Sequence, residues 1–246
     1  MSRKGKIYIG TSGWHYGHWK GPLYPKETSS EDFLMFYAKQ FQTTEINNTF
    51  YQLPTEKTMA SWRDTVPDGF VFSIKASRYI THMKKLKDPE ESTRKFFSII
   101  EVLGDKAGPV LFQLPPKWKV NLDRLEEFLD ALPGVYRYSF EFRDTTWFGQ
   151  DTENLLVKKK VAFCIYDFDG RQSPRPVTTD FIYIRLHGPE GAYRGKYDKG
   201  ALSDWTEAIS TWAGDGKDVY CYFDNDQNGY APQNALSLIE LLEDKM

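Results

Sequence analysis

Residues 136–143 alternate strictly, with Tyr136, Tyr138, Phe140 and Phe142 on one side and Arg137, Ser139, Glu141 and Arg143 on the other. A period of two is that of a β-strand, whose successive side chains point to opposite faces. The face carrying Glu141 and Arg143 cannot lie on an apolar layer unless its charges are paired or wetted, because an unpaired buried charge is costly. This strand therefore lines either a site or a plugged interior.

Shorter runs of the same kind predict strands at 7–12, 43–47, 70–75, 110–114, 161–167, 181–187 and 219–224. Helical spacing fills the gaps between most of them. A helix opening at Ser29 or Ser30 sets Phe33, Phe36, Tyr37 and Phe41 on one face, and one over 55–65 turns Met59 and Trp62 inward. Asp88-Pro89-Glu90-Glu91 reads as a helix start with Asp88 as its cap and Pro89 at the first helical position; Phe96, Phe97, Ile100 and Leu103 then form the apolar face. Asn121 caps a helix with Leu122, Leu125, Phe128, Leu129 and Leu132 on one side. A short helix at 151–159 follows, and two more carry Leu202, Trp205, Ile209 and Trp212, and Ala235, Leu238, Ile239 and Leu242. Eight strands alternating with helices predict an α/β, TIM-barrel-like (β/α)8 fold, one domain over 1–246. Residues 168–180 hold two prolines and no helical period, so a regular sixth helix is expected to be missing.

Composition narrows the classes. A hydrophobic fraction of 40% supports a core, and 16% aromatic residues make much of that core ring surface. The formal net charge of −2 lacks the overall basic footprint of a dedicated nucleic-acid binder, leaving only local patches to serve that role. Cys164 and Cys221 each lie in an apolar run, as reduced buried thiols do. The first residues lead into a strand without a signal-like apolar segment, and no apolar run approaches the roughly 20 residues of a membrane span, so a cytoplasmic, non-membrane protein is expected. Neither a phosphate-binding loop, nor a dinucleotide fingerprint, nor a Cys-x-x-Cys pair is present, and no cofactor is evident.

In a barrel the last inward residues of each strand floor the active site. Those positions here are Glu45 and Asn47, Ser73 and Lys75, Gln113, Glu141 and Arg143, Asp167, Arg185 and His187, and Tyr222 and Asp224. Glu45, Glu141, His187 and His82, the last just after the third strand, are the expected catalytic groups. Trp14, Asn47, Tyr51, Lys75, Gln113, Arg143, Asp167, Arg185, Asp224 and Asn225 are the expected substrate-binding groups. The competing explanation is a structural plug, with Glu141 paired to Arg143 or Arg185 and Glu45 to Lys75; barrels without a site usually fill such layers with Val, Ile and Leu. His187 read alone also fits a satisfied core histidine, and His82 a turn residue.

Gly10-Thr11-Ser12-Gly13-Trp14, Thr44-Glu45-Ile46-Asn47 with Thr49-Phe50-Tyr51 and Pro54, Ile80-Thr81-His82, Gln113-Leu114-Pro115-Pro116, Glu141-Phe142-Arg143, Arg185-Leu186-His187-Gly188 and Tyr222-Phe223-Asp224-Asn225-Asp226 occur in that order. Together they resemble the YecE-like family, known as domain of unknown function 72, from about residue 7 to residue 242. The resemblance implies a TIM-barrel-like fold and no particular reaction. One departure is Asp224, where the family pattern more often has Asn.

Three functions compete. The first is a hydrolase acting on a small phosphate-bearing or nucleic-acid-like substrate, with Lys75, Arg143 and Arg185 meeting the anion. Glu190, Asp224 and Asp226 oppose that charge unless a divalent metal sits on Glu45, Glu141, His187 or Asp224. The second is a carbohydrate-active enzyme with Glu45 and Glu141 as paired carboxylates and Trp14, Trp19, Tyr51 and Trp147 as stacking walls. The third is a non-catalytic module binding single-stranded nucleic acid or a protein partner through the aromatics of the first loop and the basic run Lys84, Lys85, Lys87, whereas Lys158, Lys159 and Lys160 read as merely solvated. The glycine-punctuated stretch 188–200 is expected to form a lid that closes Tyr193 and Arg194 over a ligand. A small polar or anionic ligand suits all but the third reading; the pattern assigns no oligomeric state.

Overall fold

The computed structural model of the chain describes residues 3–245. The strands are β1 (Ile7–Thr11), β2 (Thr43–Ile46), β3 (Val71–Lys75), β4 (Ala107–Gln113), β5 (Tyr138–Glu141), β6 (Ala162–Phe168), β7 (Arg171–Gln172), β8 (Phe181–Leu186) and β9 (Asp218–Phe223). The helices are α1 (Phe33–Tyr37), α2 (Glu56–Thr65), α3 (Pro89–Ile100), α4 (Leu122–Asp130), α5 (Gln150–Lys159), α6 (Lys199–Gly214) and α7 (Tyr230–Glu243). Strand order is β1-β9-β8-β6-β5-β4-β3-β2, with β7 off this path against β6: an α/β, TIM-barrel-like fold. The chain gathers into two compact units, Met1–Glu45 with Ile165–Ser173 and Asp180–Met246, and Ile46–Cys164 with Pro174–Thr179.

In the first unit, β1 and β8 both pair parallel with β9, setting Gly10 and Arg185 beside Tyr222. Gly10 is required there, since a Cβ would come within 2.3 Å of the Thr43 carbonyl oxygen. Tyr37 fixes the same junction: its hydroxyl donates to Thr43 O at 3.0 Å and accepts from Thr11 N at 2.9 Å. Helix α6 begins at Asp198, whose side chain accepts from Ala201 N at 2.8 Å. Where a sixth helix would run, Asp169 and Gly170 take φ values of 55° and 71° and fold β7 back antiparallel on β6. Asp-Gly is the favoured pair for such a two-residue hairpin.

In the second unit, β4 pairs parallel with β3 and β5, placing Phe112 beside Phe140 and Gln113 beside Glu141. Phe112, Phe128 and Phe140 pack ring on ring, with Phe112 5.1 Å from each of the other two, and Phe142 stacks on Trp147 at 4.8 Å. These rings are buried, and each contributes on the order of 1.5–3 kcal/mol. Asn121 caps α4 as its sequence predicts, accepting from Arg124 N at 2.9 Å.

Several local expectations change. The ladder of β5 covers only Tyr138–Glu141, because alternation continues through Phe142 and Arg143 after the last strand pair. Asp88 does not cap α3: it takes φ 48° and its carboxylate turns to Lys84 Nζ at 3.0 Å. The basic run is thus partly spent, and Leu86 within it is buried. Lys158 and Lys159 are not simply solvated either, since they pair with Glu126 and Asp130 of α4. No helix among the described residues is long and apolar enough to cross a membrane.

Candidate functional site

Alternation along β8 sets Tyr183, Arg185 and, just past its end, His187 on one face. Glu45 at the end of β2 and Asp224 after β9 meet them in the first unit. Glu45 Oε1 accepts from Ser12 Oγ at 2.5 Å and from Arg185 Nη2 at 2.8 Å, and Oε2 accepts from the Tyr183 hydroxyl at 2.8 Å. The same Nη2 lies 3.2 Å from Asp224 Oδ2. Arg185 Nη1 lies 3.3 Å from His187 Nε2, and His187 Nδ1 lies 3.0 Å from Asp224 Oδ2. A guanidinium offers only donors, so Nε2 accepts in this contact, while Nδ1 faces the Asp224 carboxylate. Glu45, Arg185 and His187 are wholly buried. Such a guanidinium is tolerable only because carboxylates match it and its N–H groups are satisfied.

Around this knot the first unit adds groups the strand-end reasoning missed. The Tyr16 hydroxyl donates to Ser12 O at 2.9 Å. Burial raises its pKa first, and the charges of Asp224, Asp226 and Glu45 push it further the same way, so Tyr16 keeps its proton. Asp226 accepts from Trp19 Nε1 at 2.5 Å and lies 3.0 Å from His18 Nε2; burial nevertheless holds its pKa above the usual carboxylate value. His187 is covered edge-on by Phe168 at 5.3 Å and Tyr193 at 5.5 Å. Ser12 was detectable as the residue following β1, and Tyr183 as the partner of Arg185 two positions earlier on the same face. Tyr16 and Asp226 lie on loops, where no period marks them.

Asn225 is buried, and its Nδ2 donates to Gly195 O at 2.9 Å and Asn234 Oδ1 at 3.0 Å, so it braces the 188–200 stretch. Asp167, at the end of β6, is buried; burial first and the Asp167 charge next raise the pKa of Tyr197, whose hydroxyl accepts from Gly188 N at 3.0 Å. The tryptophan walls are corrected. Trp14, Trp19 and Trp147 are all buried, and the indoles of Trp19 and Trp147 are tied to Asp226 and to the Trp118 carbonyl. Of the four, only Tyr51 presents its ring to solvent, at 72% exposure.

The second unit holds the remaining expected residues in two groups. Glu141 is wholly buried and bonded by Arg143 Nε, with Cys164 Sγ 3.8 Å from its other oxygen. Gln113 stands beside Glu141 in the ladder, its Oε1 sheltered without a hydrogen-bond partner. Lys75 Nζ lies 4.4 Å above the Phe50 ring, and His82 and Tyr51 pack edge-on against the same ring at 5.0 and 5.1 Å. Asn47 precedes this turn, its Oδ1 also sheltered and unpartnered. Glu141 thus pairs with Arg143, and Glu45 with Arg185. Of the cations expected to meet a phosphate, Arg143 and Arg185 are each met by a carboxylate.

Among the described residues, no group of three or more His, Cys, Asp or Glu side chains is arranged to hold a metal ion. Between Glu45 and Asp224, where a cation would bridge two carboxylates, Arg185 Nη2 takes that place.

The chain is similar to the UPF0759 protein YunF of Bacillus subtilis (strain 168), 25% identical over 270 residues that cover 96% of this chain and 95% of that protein. It is 31% identical over 154 residues to the UPF0759 protein YecE of Escherichia coli (strain K12), covering 62% of this chain and 54% of that one. A solved DUF72 family protein from Thermotoga maritima MSB8 superposes with a TM-score of 0.87 at 28% identity, over 97% of this chain and 99% of that one. The family model described as "Protein of unknown function DUF72" matches residues 8–246, and the chain belongs to that family.

Proposed function

We propose that the protein is a hydrolase-type enzyme acting on a small, polar, hydroxyl-rich substrate at the strand ends of the first unit. Asp224 accepts a proton from the attacking water, Tyr16 turns its hydroxyl away from Ser12 O to donate one to the leaving oxygen, and Arg185, itself fixed by Glu45, holds Asp224 in place together with His187. One observation carries this reading: Glu45, Arg185, His187 and Asp224 interlock almost entirely out of water at the ends of β2, β8 and β9. Stability alone favours aliphatic side chains in such a place, whereas fixed buried dipoles and charges are what acid–base chemistry needs. Glu45 has both oxygens engaged by Ser12, Tyr183 and Arg185, which suits positioning better than attack. Tyr16 keeps its proton and is only partly buried, which suits a donor met by an incoming ligand. Glu45, Asp224 and Asp226 outnumber Arg185, so a neutral hydroxylated substrate such as a carbohydrate is favoured over a phosphate ester in this unit.

The test is turnover of a panel of p-nitrophenyl glycosides and p-nitrophenyl phosphate by the full chain, Asp224→Asn and Tyr16→Phe. General acid–base groups contribute about 10²–10⁴-fold. Glycoside cleavage that falls at least a hundredfold in Asp224→Asn, with the melting temperature kept, supports the reading. No turnover of any substrate, or turnover indifferent to both substitutions, ends it. Cleavage of the phosphate ester alone transfers it to the phosphate-bearing class.

A further inference from the structure

The second unit carries a cationic face that the proposal above does not use. It is built on a local irregularity. Residues Tyr79–Met83 form a π-helical turn in which Lys84 N donates to Tyr79 O, five residues back, at 2.8 Å. Lys85, Leu86 and Asp88 then take positive φ values of 49°, 62° and 48°. π-Turns and left-handed non-glycine residues are strained and recur at functional sites. Here the buried Leu86 and Thr81 anchor the turn, and His82 is delivered against Phe50.

His82 Nδ1 is spent on Thr81 Oγ1 at 2.9 Å, while Nε2 takes no partner among the described residues. Arg78 opens the same turn four residues before His82, on the face that i and i+4 share, and Lys75 and His82 meet the one Phe50 ring; burial lowers the pKa of His82, and the charges of Lys75 and Arg78 lower it further. Lys75 is 6% exposed and is tied to the same spot through Thr49, whose hydroxyl donates to Lys75 O at 2.6 Å. Arg78 stands in solvent. Asn47, whose carbonyl accepts from Phe50 N at 3.2 Å, holds its sheltered Oδ1 without a donor. A sheltered acceptor lacking a hydrogen bond is destabilising unless a ligand donor satisfies it. Tyr51 extends the wall outward as an open ring.

We propose that Lys75, Arg78 and His82 bind the anionic group of a small hydroxylated ligand, whose hydroxyl donates to Asn47 Oδ1 and whose body rests on Phe50 and Tyr51. Two cations around one imidazole make a local positive field, and a planar guanidinium suits a phosphate or carboxylate oxygen pair. The shared chemistry is an oxyanion on a polyol.

Calorimetry on the full chain, with glucose 6-phosphate, glucuronate, inorganic phosphate and glucose as probes, tests this directly and requires no turnover. One of the two charged sugars binds, glucose does not, and Arg78→Ala or His82→Gln weakens binding about tenfold, the scale of one charge-assisted hydrogen bond. Preference for glucose 6-phosphate assigns a phosphate ester, preference for glucuronate a carboxylate. Asn47→Ala weakens the charged sugars without altering inorganic phosphate. Lys84→Ala, outside the face, leaves affinity unchanged. Absence of binding to every anion at millimolar concentration, equal binding of glucose, or indifference to both Arg78→Ala and His82→Gln overturns the proposal.

Discussion

Arg185 Nη2 lies 2.8 Å from Glu45 Oε1, and neither side chain meets solvent. Removing one partner of such a pair leaves the other charge buried and uncompensated, at a cost of about 3–5 kcal/mol. Glu45→Gln should lower stability by that amount in urea denaturation, and the Glu45→Gln/Arg185→Met double variant should lose less than the sum of the singles. A loss in Glu45→Gln no larger than that of a surface substitution would contradict the network.

The Tyr193 ring rests on His187 and on Phe168, at 5.5 and 5.8 Å. The backbone beneath it has little freedom: Gly188 has φ 118°, and a Cβ there would come within 2.1 Å of Arg194 O. Tyr193→Ala should therefore free the 188–200 stretch and speed tryptic cleavage after Arg194 and Lys196. Unchanged digestion would show that the ring does not hold the loop.

Asp226 carries a pKa raised chiefly by burial, with Trp19 and His18 opposing. A carboxyl of this kind adds stability below its unfolded value near about 4 and loses it as pH rises through the folded value. Relative to the native chain, Asp226→Asn should gain melting temperature as pH rises, with the gain absent in strong acid. A difference constant across the titration would refute this assignment.

His82 is displaced in the opposite sense for a base. Its pKa is lowered by burial first and by Lys75 and Arg78 next. Its contribution is present above the unfolded value near about 6.5 and is lost as pH falls through the folded one. His82→Gln should flatten the stability profile on that acid side, as followed by denaturant midpoint. An identical profile in the variant would place the acid sensitivity elsewhere.

Cys164 and Cys221 are both buried thiols, and burial raises the pKa of Cys221. Since the thiolate is the reactive form, both should resist a disulfide reagent in the folded chain and react on unfolding. Rapid labelling of the native protein would count against this.

Much of the architecture was legible because it rests on local rules. Period-two alternation grouped Arg185 with His187, and Glu141 with Arg143, as residues sharing a face. The prolines and missing period of 168–180 announced the lost helix, and Asp169-Gly170 carried the hairpin chemistry in plain view. Asn121 announced its own cap.

The partners of those residues were not legible, since a partner is a long-range fact. Glu45 could be matched in the sequence with Lys75 or with Glu141, yet it is bonded by Arg185, 140 residues away. Trp14, Trp19 and Trp147 read as walls because loop aromatics suit ligands, and only packing decides which rings are covered. The π-turn that aims His82 at Phe50 has no sequence period at all; it depends on the buried Leu86 and Thr81 that hold it. By itself the sequence determined the strand and helix alternation, the family and the polar character of the strand ends, since these follow from spacing and composition. Only the tertiary structure decided which charges neutralise each other and which rings are covered, because burial and pairing are set by neighbours distant along the chain.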